Sequence, residues 1–227
     1  MPDKTMRSLA EIFLSNGDRE IYKWLHYFDI YEKHFARFRG KAPVMLEIGV
    51  LKGGSLQMWK EYFGPGTKIV GLDINPKCKR HEEDGIEVVI GSQDDESVLD
   101  GLLERYTFDI VLDDGSHQMD HLNATFAHLY NAISPNGVYM LEDLHCCYFP
   151  RFGGGLGAEG SFLETVKTLI DQLHATYIRD VEPDGFTRST AGIHIYDSIV
   201  AFEKAPQGER QRLATAAMGK LSKKNDG

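Results

Sequence analysis

The amino-acid sequence predicts one α/β domain built on a doubly wound, mostly parallel seven-stranded sheet with helices on both faces. Short apolar runs alternate with amphipathic stretches of helical period, which is typical of repeated βαβ units. Turns rich in glycine and acidic residues follow the apolar runs. Near the C-terminus two β runs are separated only by Asp197 and Ser198, which predicts an antiparallel hairpin at the edge of the sheet.

Five apolar runs are predicted as parallel strands. They cover residues 44–50, 68–73, 86–90, 108–114 and 138–143. Helical patterns include 56–63 and 119–133, which end at Gly64-Pro65-Gly66 and at Pro135-Asn136-Gly137. Because crossovers between parallel strands are right-handed, the carboxyl ends of the five strands should share one edge of the sheet. Ligands bind outside that edge in such folds.

The sequence on either side of this region divides into shorter segments. Residues 1–18 are a polar N-terminal segment, and 19–40 are predicted as a cap helix that precedes the main domain at 41–205. The aromatic residues of the cap helix occupy more than one face, so they either pack in the core or close over a ligand. Residues 206–227 are predicted as a short basic amphipathic helix and a polar tail.

A glycine-rich segment at 145–160 follows the fifth strand and is predicted to be a mobile loop. Loops of this length in compact domains are more often functional than structureless. A helix at 161–177 then leads to the hairpin runs 191–196 and 199–202. The sequence leaves open whether the loop and the cap helix form a lid or an interface, and whether the protein is a homo-oligomer.

Composition excludes several classes of protein. With 227 residues, of which 42% are hydrophobic and 26% charged, the chain has the composition of a globular domain. Its net charge of −9 argues against binding to nucleic acid, which needs a basic face. The three cysteines have no spacing typical of a disulfide framework or a metal site. We find no apolar run of membrane-spanning length and no signal peptide, and therefore expect a cytoplasmic protein without a membrane partner.

Acidic residues follow the fourth and fifth predicted strands. Asp113 and Asp114 end the fourth strand, Glu142 and Asp143 end the fifth, and His117 follows shortly after Asp114. Carboxylates gathered at one edge repel one another unless a positive charge lies among them. A hard divalent cation such as Mg²⁺, which prefers oxygen ligands, would supply that charge.

The turn after the first strand predicts a cofactor that is not a dinucleotide. Residues 47–55 lack the GxGxxG pattern that admits a pyrophosphate, and Glu47 would repel a phosphate but attract a cation. S-Adenosylmethionine fits this turn because it carries an ammonium and a sulfonium but no phosphate. Gly49 and Gly53 let the backbone approach a ligand closely, and we include Ser55 in the same cofactor-binding turn.

The ends of the second and third strands extend this cofactor prediction. Asp73 is placed to accept hydrogen bonds from both ribose hydroxyls, and Ser92 and Gln93 are placed to meet the adenine. Asp113 is assigned to the cofactor or to its own turn rather than to the metal. Each signal is weak alone. The signals are stronger in combination, because they lie at the ends of successive strands.

The motifs LEIGVLKGGS (46–55), GLDINP (71–76) and the acid-ended fourth strand resemble those of the class I S-adenosylmethionine-dependent methyltransferases, whose fold is Rossmann-like. VLDDGSH (111–117) and LEDLH (141–145) resemble a narrower family, the metal-dependent sugar O-methyltransferases that modify macrolides and related glycosides. HYFDIYEKHF (26–35), RFGGG (151–155) and GIHIYDSIVAFEKA (192–205) extend this resemblance over roughly residues 20–205. One departure is that larger members of the macrolide group carry an extra N-terminal domain.

The resemblance implies roles for individual residues. Asp114, Glu142 and Asp143 would be the metal ligands, and His117 would be the general base. The implied activity is Mg²⁺-dependent transfer of a methyl group from S-adenosylmethionine to a sugar hydroxyl of a glycosylated small molecule or glycan. We expect the biosynthesis of natural products, including antibiotics, to be the setting for such a reaction.

Three alternatives to this function remain at the level of the sequence. A catechol-type metal-dependent O-methyltransferase would also place acids at strand ends and would act on a phenolic acceptor. A nicotinamide-dependent oxidoreductase is disfavoured by Glu47 and by the missing glycine pattern. A non-catalytic module that binds S-adenosylmethionine would keep the cofactor pocket but transfer no methyl group.

Overall fold

The computed structural model describes residues 7–208, 210, 212–215 and 221–224. Its main sheet has seven strands in the order β3-β2-β1-β4-β5-β7-β6. The strands are β1 (Val44–Ile48), β2 (Lys68–Asp73), β3 (Ile86–Ile90), β4 (Ile110–Asp113), β5 (Val138–Leu141), β6 (Thr190–Ile195) and β7 (Val200–Lys204). The first five strands are parallel, and β7 runs antiparallel to both β5 and β6. The predicted fold class, including the C-terminal hairpin, is confirmed.

Helices cover both faces of this sheet. They are α1 (Leu9–Ser15), α2 (Tyr27–Phe35), α3 (Gly54–Phe63), α4 (Glu96–Leu103), α5 (Met119–Leu129), α6 (Phe162–Leu173) and α7 (Gly185–Ser189). Short 3-10 turns lie at Ala36–Phe38, Pro76–His81, Tyr130–Ala132, Leu144–Tyr148, Pro150–Phe152 and Ala175–Tyr177. One face packs against α1, α2 and α3, and the other packs against α4 to α7. Successive side chains of each strand alternate between these two cores.

The strand order changes direction between β1 and β4, which are neighbours although two strands separate them in the sequence. Ile48 pairs with Asp113, and Asp113 pairs in turn with Leu141. The residues that follow β1, β4 and β5 therefore meet at one edge of the sheet. Ligands bind at such a switch point in open α/β sheets.

The predicted cap helix over 19–40 is wrong in its first half. The helix begins at Tyr27 and ends at Phe35, whereas residues 16–26 are not helical apart from a turn at 25–26. The apolar period that suggested a helix from residue 19 does not match burial, because Tyr22 and Leu25 are exposed while the Lys23 side chain is buried. Tertiary contacts of Lys23 override the local pattern here.

The predicted polar segment at 1–18 contains α1, which the sequence reading missed. Ser8 caps this helix, since its side chain accepts from the Glu11 amide while the Glu11 carboxylate accepts from the Ser8 amide. Leu9 and Ile12 are buried in the same core as α2. Residues 1–6 lie outside the described residues.

The predicted C-terminal helix is wrong wherever the structure describes that region. Strands β8 (Arg212–Thr215) and β9 (Leu221–Lys224) pair as an antiparallel two-stranded sheet instead. Residues 209, 211, 216–220 and 225–227 lie outside the described part of the chain.

The segment at 145–160 contains two short 3-10 turns rather than being wholly irregular. Cys146 and Cys147 are buried within it, and all three cysteines of the chain are free thiols. Its predicted mobility stays a prediction. None of the helices in the described ranges has the length and apolarity needed to cross a membrane.

Lys204, at the end of β7, provides a test of the fold away from the strand edge. Its buried ammonium donates to the carbonyls of Tyr130, Asn131 and Ile133 at 3.0, 3.1 and 3.1 Å. Hydrogen bonds to charged groups contribute about 1.5–3 kcal/mol each at most, so we expect Lys204→Met to lower the free energy of unfolding by about 2–3 kcal/mol in urea titration. The control, Lys41→Met at an exposed position, should change it by less than about 0.5 kcal/mol. Equal stability of the two variants would contradict this assignment.

Candidate active site

The candidate site is built where β1, β4 and β5 end. The ladder continues one residue past β4 and β5, because the Asp114 amide donates to the Ile48 carbonyl at 2.9 Å and the Glu142 amide donates to the Asp113 carbonyl at 3.0 Å. These bonds fix the backbone from which Asp114 and Glu142 project. The sheet itself thus holds two of the predicted metal ligands.

A lysine that the sequence reading did not single out lies among these acids. The Lys23 ammonium is 2.6 Å from Asp114 Oδ2 and 3.8 Å from Glu47 Oε1, and it also donates to Glu142 Oε1. Only 4% of its side chain is exposed. Its spacing of four residues from Tyr27 is not a usable signal, because Lys23 precedes α2 and is not helical.

Two tyrosines of α2 complete the contacts of the acids. The Tyr31 hydroxyl donates to Glu142 Oε2, and the Tyr27 hydroxyl donates to Asp143 Oδ1 at 2.6 Å. The four-residue spacing puts both phenols on one face of α2. Rings of the aromatic helix therefore reach the acid-rich edge, and they also pack in the core.

His117 lies beside the same acids. Its Nε2 is 3.9 Å from Asp114 Oδ1 and 3.8 Å from Asp143 Oδ2. Its Nδ1 is buried and has no hydrogen-bond partner among the described residues. The ring packs edge-on against Phe152 with centroids 6.0 Å apart. The imidazole is thus held with one nitrogen directed at the carboxylates.

The backbone is strained at two positions of the site. Both His117 and Asp143 have φ of +58°, in the left-handed region that residues with a Cβ seldom adopt. Such conformations cost about 1–3 kcal/mol and persist where surrounding contacts determine them, often at functional sites. The same two residues flank the space between the carboxylates.

The charges at this edge are not balanced by the protein alone. Burial by itself would lower the pKa of Lys23, but Asp114, Glu142 and Glu47 together raise it well above its ordinary value. Burial and the nearby Asp114 raise the pKa of Glu142, against the effect of Lys23. One ammonium cannot neutralise four acids, counting Asp143, so the cluster favours further positive charge.

The donor set fits a hard divalent cation. Ligand atoms of Asp114, His117 and Asp143 lie within 4.8 Å of one another. Glu142 joins the cluster through Lys23, which already places a cation between its carboxylate and Asp114. Carboxylate oxygens are the ligands that Mg²⁺ and Ca²⁺ prefer. The structure therefore brings together the three predicted ligands and the predicted base.

A cavity of about 170 Å³ lies beside the acids, along the ends of β1, β2 and β4. It is lined by Ile48, Gly49, Leu72, Asp73, Ile74, Gly91, Ser92, Gln93, Gly115, Ser116 and His121. Four of the predicted cofactor residues are among them. A larger groove of about 1150 Å³ lies elsewhere and contains none of the predicted site residues, so the strand edge remains the candidate site.

Asp73 organises the turn that borders this cavity. Its Oδ2 accepts from the amides of Val50 and Leu51 at 2.9 and 3.1 Å, and its Oδ1 accepts from the Asn75 amide at 2.8 Å. Burial raises the pKa of Asp73, but the three backbone hydrogen bonds outweigh it and lower the pKa overall. The carboxylate is ionised and fixed, with lone pairs left for a ligand hydroxyl.

Gly49 shows why the turn needs a glycine. Its φ is +93°, and a Cβ added there would lie 2.1 Å from the Asp114 carbonyl oxygen. The turn after β1 therefore passes directly against the backbone that carries a predicted metal ligand. Gly53 lies further along, at the start of α3, beside the His81 ring.

Glu47 and Ser55 belong to the acid cluster rather than to the cavity wall. Glu47 is fully buried and accepts from Ser55 Oγ at 2.8 Å and from Trp59 Nε1 at 3.2 Å. Its carboxylate faces Lys23, and burial raises its pKa. Neither residue is among those that line the cavity, so their predicted contact with the cofactor stays a prediction.

Asp113 and Gln93 form a buried network on the other side of the sheet. Gln93 Nε2 lies 3.2 and 3.1 Å from the Asp113 oxygens, and Gln93 Oε1 accepts from the Ser116 amide at 2.7 Å. Burial raises the pKa of Asp113 to about 7. Asp113 Oδ1 also accepts from the Gly115 amide at 3.2 Å, which fits the predicted turn role, and its predicted contact with the cofactor stays a prediction.

His121 is a cavity residue that the sequence analysis does not single out. Its Nδ1 pairs with Ser116 Oγ at 2.9 Å, and its Nε2 lies 3.4 Å from Asp94. His117 precedes α5, which begins at Met119, so the two histidines do not share a face of that helix. Ser92 lines the cavity too, with its hydroxyl donated to Asp94.

The sheet order, the reversed last strand and the ligand edge define the Rossmann-like fold of class I methyltransferases. The chain is superimposable with the MycE methyltransferase from the mycinamycin biosynthetic pathway, in complex with Mg, SAH and mycinamycin VI. The TM-score is 0.79 and the identity 34%, covering 89% of this chain and 54% of that one. A second crystal form of MycE, with Mg and SAH, has a TM-score of 0.80.

Curated relatives define the family more narrowly. Demethylmacrocin O-methyltransferase of Streptomyces fradiae is 39% identical over 204 residues, which are 82% of this chain and 51% of the relative. Mycinamicin VI 2''-O-methyltransferase of Micromonospora griseorubida is 37% identical over 203 residues, or 83% and 50%. No protein-family model matches. The chain is a homologue of the sugar O-methyltransferases of macrolide and tetracenomycin pathways, and it spans about half the length of the curated relatives it matches.

Gly49 gives a prediction about the site that does not depend on activity. Gly49→Ala puts a Cβ on a residue in the left-handed conformation, and that Cβ clashes with the Asp114 backbone. We therefore expect the free energy of unfolding to fall by about 2–4 kcal/mol. The matched control is Gly101→Ala in α4, where a Cβ meets no atom within 4 Å. That variant should be neutral or stabilised by up to about 1 kcal/mol in denaturant titration. If both substitutions had the same effect, the close approach at Gly49 would be refuted.

Proposed function

We propose that this protein is an S-adenosylmethionine-dependent, Mg²⁺-dependent O-methyltransferase that methylates a sugar hydroxyl of a glycosylated small molecule in natural product biosynthesis. One observation carries the proposal. The acid cluster with His117 lies at the same sheet edge as the cavity bordered by Gly49 and Asp73. A methyl donor and a hydroxyl acceptor need to meet at such a junction.

Three side chains would hold the cation: Asp114, Glu142 and Asp143. Their phenol partners, Tyr27 and Tyr31, fix the orientation of two of these carboxylates. When bound, Mg²⁺ supplies positive charge that makes a coordinated hydroxyl more acidic. The similar MycE structures contain Mg, which supports a divalent cation at this edge of the sheet.

His117 would take the proton from the acceptor hydroxyl. Its Nε2 faces the space between Asp114 and Asp143, where a hydroxyl held by these carboxylates would lie within its reach. The packing of its ring against Phe152 limits the directions in which Nε2 points.

The neighbouring cavity would hold the methyl donor. S-Adenosylmethionine supplies an activated methyl group, so the protein contributes chiefly binding and orientation. Asp73 would meet the ribose, and Ser92 and Gln93, which also line the cavity, would meet the adenine. Gly49, which lines the cavity, lies directly against the backbone of Asp114, so the cavity and the acid cluster are close neighbours.

Aromatic side chains around the acids suit a glycosylated acceptor with an apolar body. Trp24 packs edge-on against His145, which packs in turn against Phe149. Trp24 is 52% exposed and Phe149 is 40% exposed, so their faces are open to a ligand. By their names, the relatives described above are O-methyltransferases of demethylmacrocin and of mycinamicin VI. We therefore propose a glycoside acceptor, with glycosylated polyketides as the first class to test.

Removal of divalent metal tests the role of the acid cluster. We expect EDTA to abolish transfer of labelled methyl groups from S-adenosylmethionine to a panel of glycosides and Mg²⁺ to restore it, because the hydroxyl loses its source of acidification. A catechol belongs in the same panel. A preference for the catechol over the glycosides would show that the acceptor is a phenol rather than a sugar. Transfer that continues undiminished in EDTA would exclude the metal-dependent mechanism.

Substitution of His117 tests the base. General base catalysis contributes about 10²–10⁴-fold, so His117→Ala should lower kcat by that range while S-adenosylhomocysteine binding measured by calorimetry stays near wild type. His174→Ala is the matched control, because His174 is exposed and its Nδ1 contacts only the Ile170 carbonyl within α6. A normal kcat in His117→Ala would reject the assignment. Binding of S-adenosylhomocysteine without transfer to any acceptor would favour a non-catalytic module.

A further inference from the structure

Lys23 is the buried cation of the acid cluster, and the segment that carries it is held by Lys23 itself and by the Trp24 ring against His145. We call residues 22–26 the Lys23 segment. Before it, residues 19–21 pack tightly on Gly54, where an added Cβ would lie 2.5 Å from the Arg19 and Glu20 carbonyl oxygens. After it, α2 begins at Tyr27. Within it, Tyr22 and Leu25 are 79% and 78% exposed.

The Lys23 ammonium and a divalent cation need the same oxygen atoms. The ammonium lies 2.6 Å from Asp114 Oδ2 and is hydrogen-bonded to Glu142 Oε1. A Mg²⁺ ion lies about 2.0–2.1 Å from each of its oxygen ligands. An ion bound to both of these oxygens would therefore overlap the ammonium nitrogen, and two cations at such a separation would repel strongly. Both cannot be held by Asp114 and Glu142 together.

The space above the carboxylates points to the same conclusion. Tyr22, Lys23, Trp24 and Tyr27 close a cavity of about 20 Å³ over the acids. A cavity of that size holds about one water molecule. A sugar hydroxyl with its ring cannot enter it, so an acceptor that approaches the carboxylates from this side needs the Lys23 segment to move.

We propose that Lys23 is an exchangeable internal cation that competes with the divalent metal for Asp114 and Glu142, and that metal binding releases the Lys23 segment to open the acceptor side. This inference rests on the proposed metal site. In the protein without divalent cation, Lys23 neutralises part of the cluster and keeps the segment closed. Once the metal is bound, the carboxylates no longer attract the ammonium, and the exposed remainder of the segment has few contacts to keep it in place.

Competition makes a quantitative prediction for metal affinity. When a competing group occupies a site, the measured dissociation constant rises by the inverse of the free fraction. If Lys23 occupies the oxygens nine-tenths of the time or more, Lys23→Gln should bind Mg²⁺ at least about tenfold more tightly. Lys23→Arg keeps the charge and should remain a weak binder, and Lys33→Gln, an exposed lysine of α2, is the matched control.

The first measurement is calorimetric titration of Mg²⁺ into the full chain stripped with EDTA, without cofactor or acceptor. Thermal unfolding of the same samples checks folding, and Lys23→Gln should lose stability in EDTA and regain it with Mg²⁺ because its carboxylates are left unpaired. Affinity of Lys23→Gln equal to or weaker than wild type would overturn the proposal, and so would an absence of Mg²⁺ binding by both proteins.

The second measurement follows the segment itself through tryptophan fluorescence. The chain has two tryptophans, and Trp59 is fully buried whereas Trp24 lies next to Lys23. Quenching by acrylamide therefore reports Trp24, and Trp24→Phe should remove the quenchable signal. Mg²⁺ should increase quenching of the wild type, whereas Lys23→Gln should be strongly quenched without metal. Unchanged quenching on addition of Mg²⁺ would contradict release of the segment.

These readouts separate the two proposals. Both are made without an acceptor, so tighter metal binding by Lys23→Gln would support the exchange even if no glycoside were methylated. Methyl transfer that depends on Mg²⁺, with Lys23→Gln and wild type equal in metal affinity, would uphold the proposed function and overturn the exchange.

Discussion

Charge compensation among buried carboxylates is the constraint on which the rest of this structure depends. Glu47 and Glu142 are almost completely buried, and Asp114 lies beside them. Isolated buried carboxylates are costly, and such groups are found paired, hydrogen-bonded or bound to metal. The chain meets this constraint with Lys23 and with hydroxyl donors from Ser55 and Tyr31, and the remaining negative charge favours a divalent cation.

Strand alternation divides acids that look equivalent in the sequence. Glu47 on β1 faces the core formed with α1 to α3, whereas Asp113 on β4 faces the opposite core with Gln93 and Tyr139. Only the first therefore meets Lys23. Asp114, one residue further along than Asp113, turns back to the first side. A shift of one residue at the strand end thus converts a structural acid into a candidate metal ligand.

The strands and their shared edge could be predicted because apolar runs and right-handed crossovers restrict the possible topologies. The grouping of Asp114, His117 and Asp143 followed from that edge. Lys23 could not be predicted, since a lysine in an aromatic stretch normally indicates a solvated helix face, and its burial depends on acids more than 90 residues away. The left-handed backbone of His117 has no clear sequence signal either, because that position does not hold glycine, the residue that adopts this conformation without strain.

The aromatic core connects these charges to the stability of the domain. Trp59 donates to Glu47 and packs edge-on against Tyr31, which donates to Glu142. The carboxylates on two strands are therefore held by side chains that also fill the core between α2 and α3. Lys23, in contrast, projects from a segment in which Tyr22 and Leu25 are exposed and only Trp24 packs against another ring, that of His145. Exchange of one cation for another can therefore move the lysine while the phenols and the indole keep the carboxylates in place. The sheet edge stays rigid, and only the Lys23 segment moves.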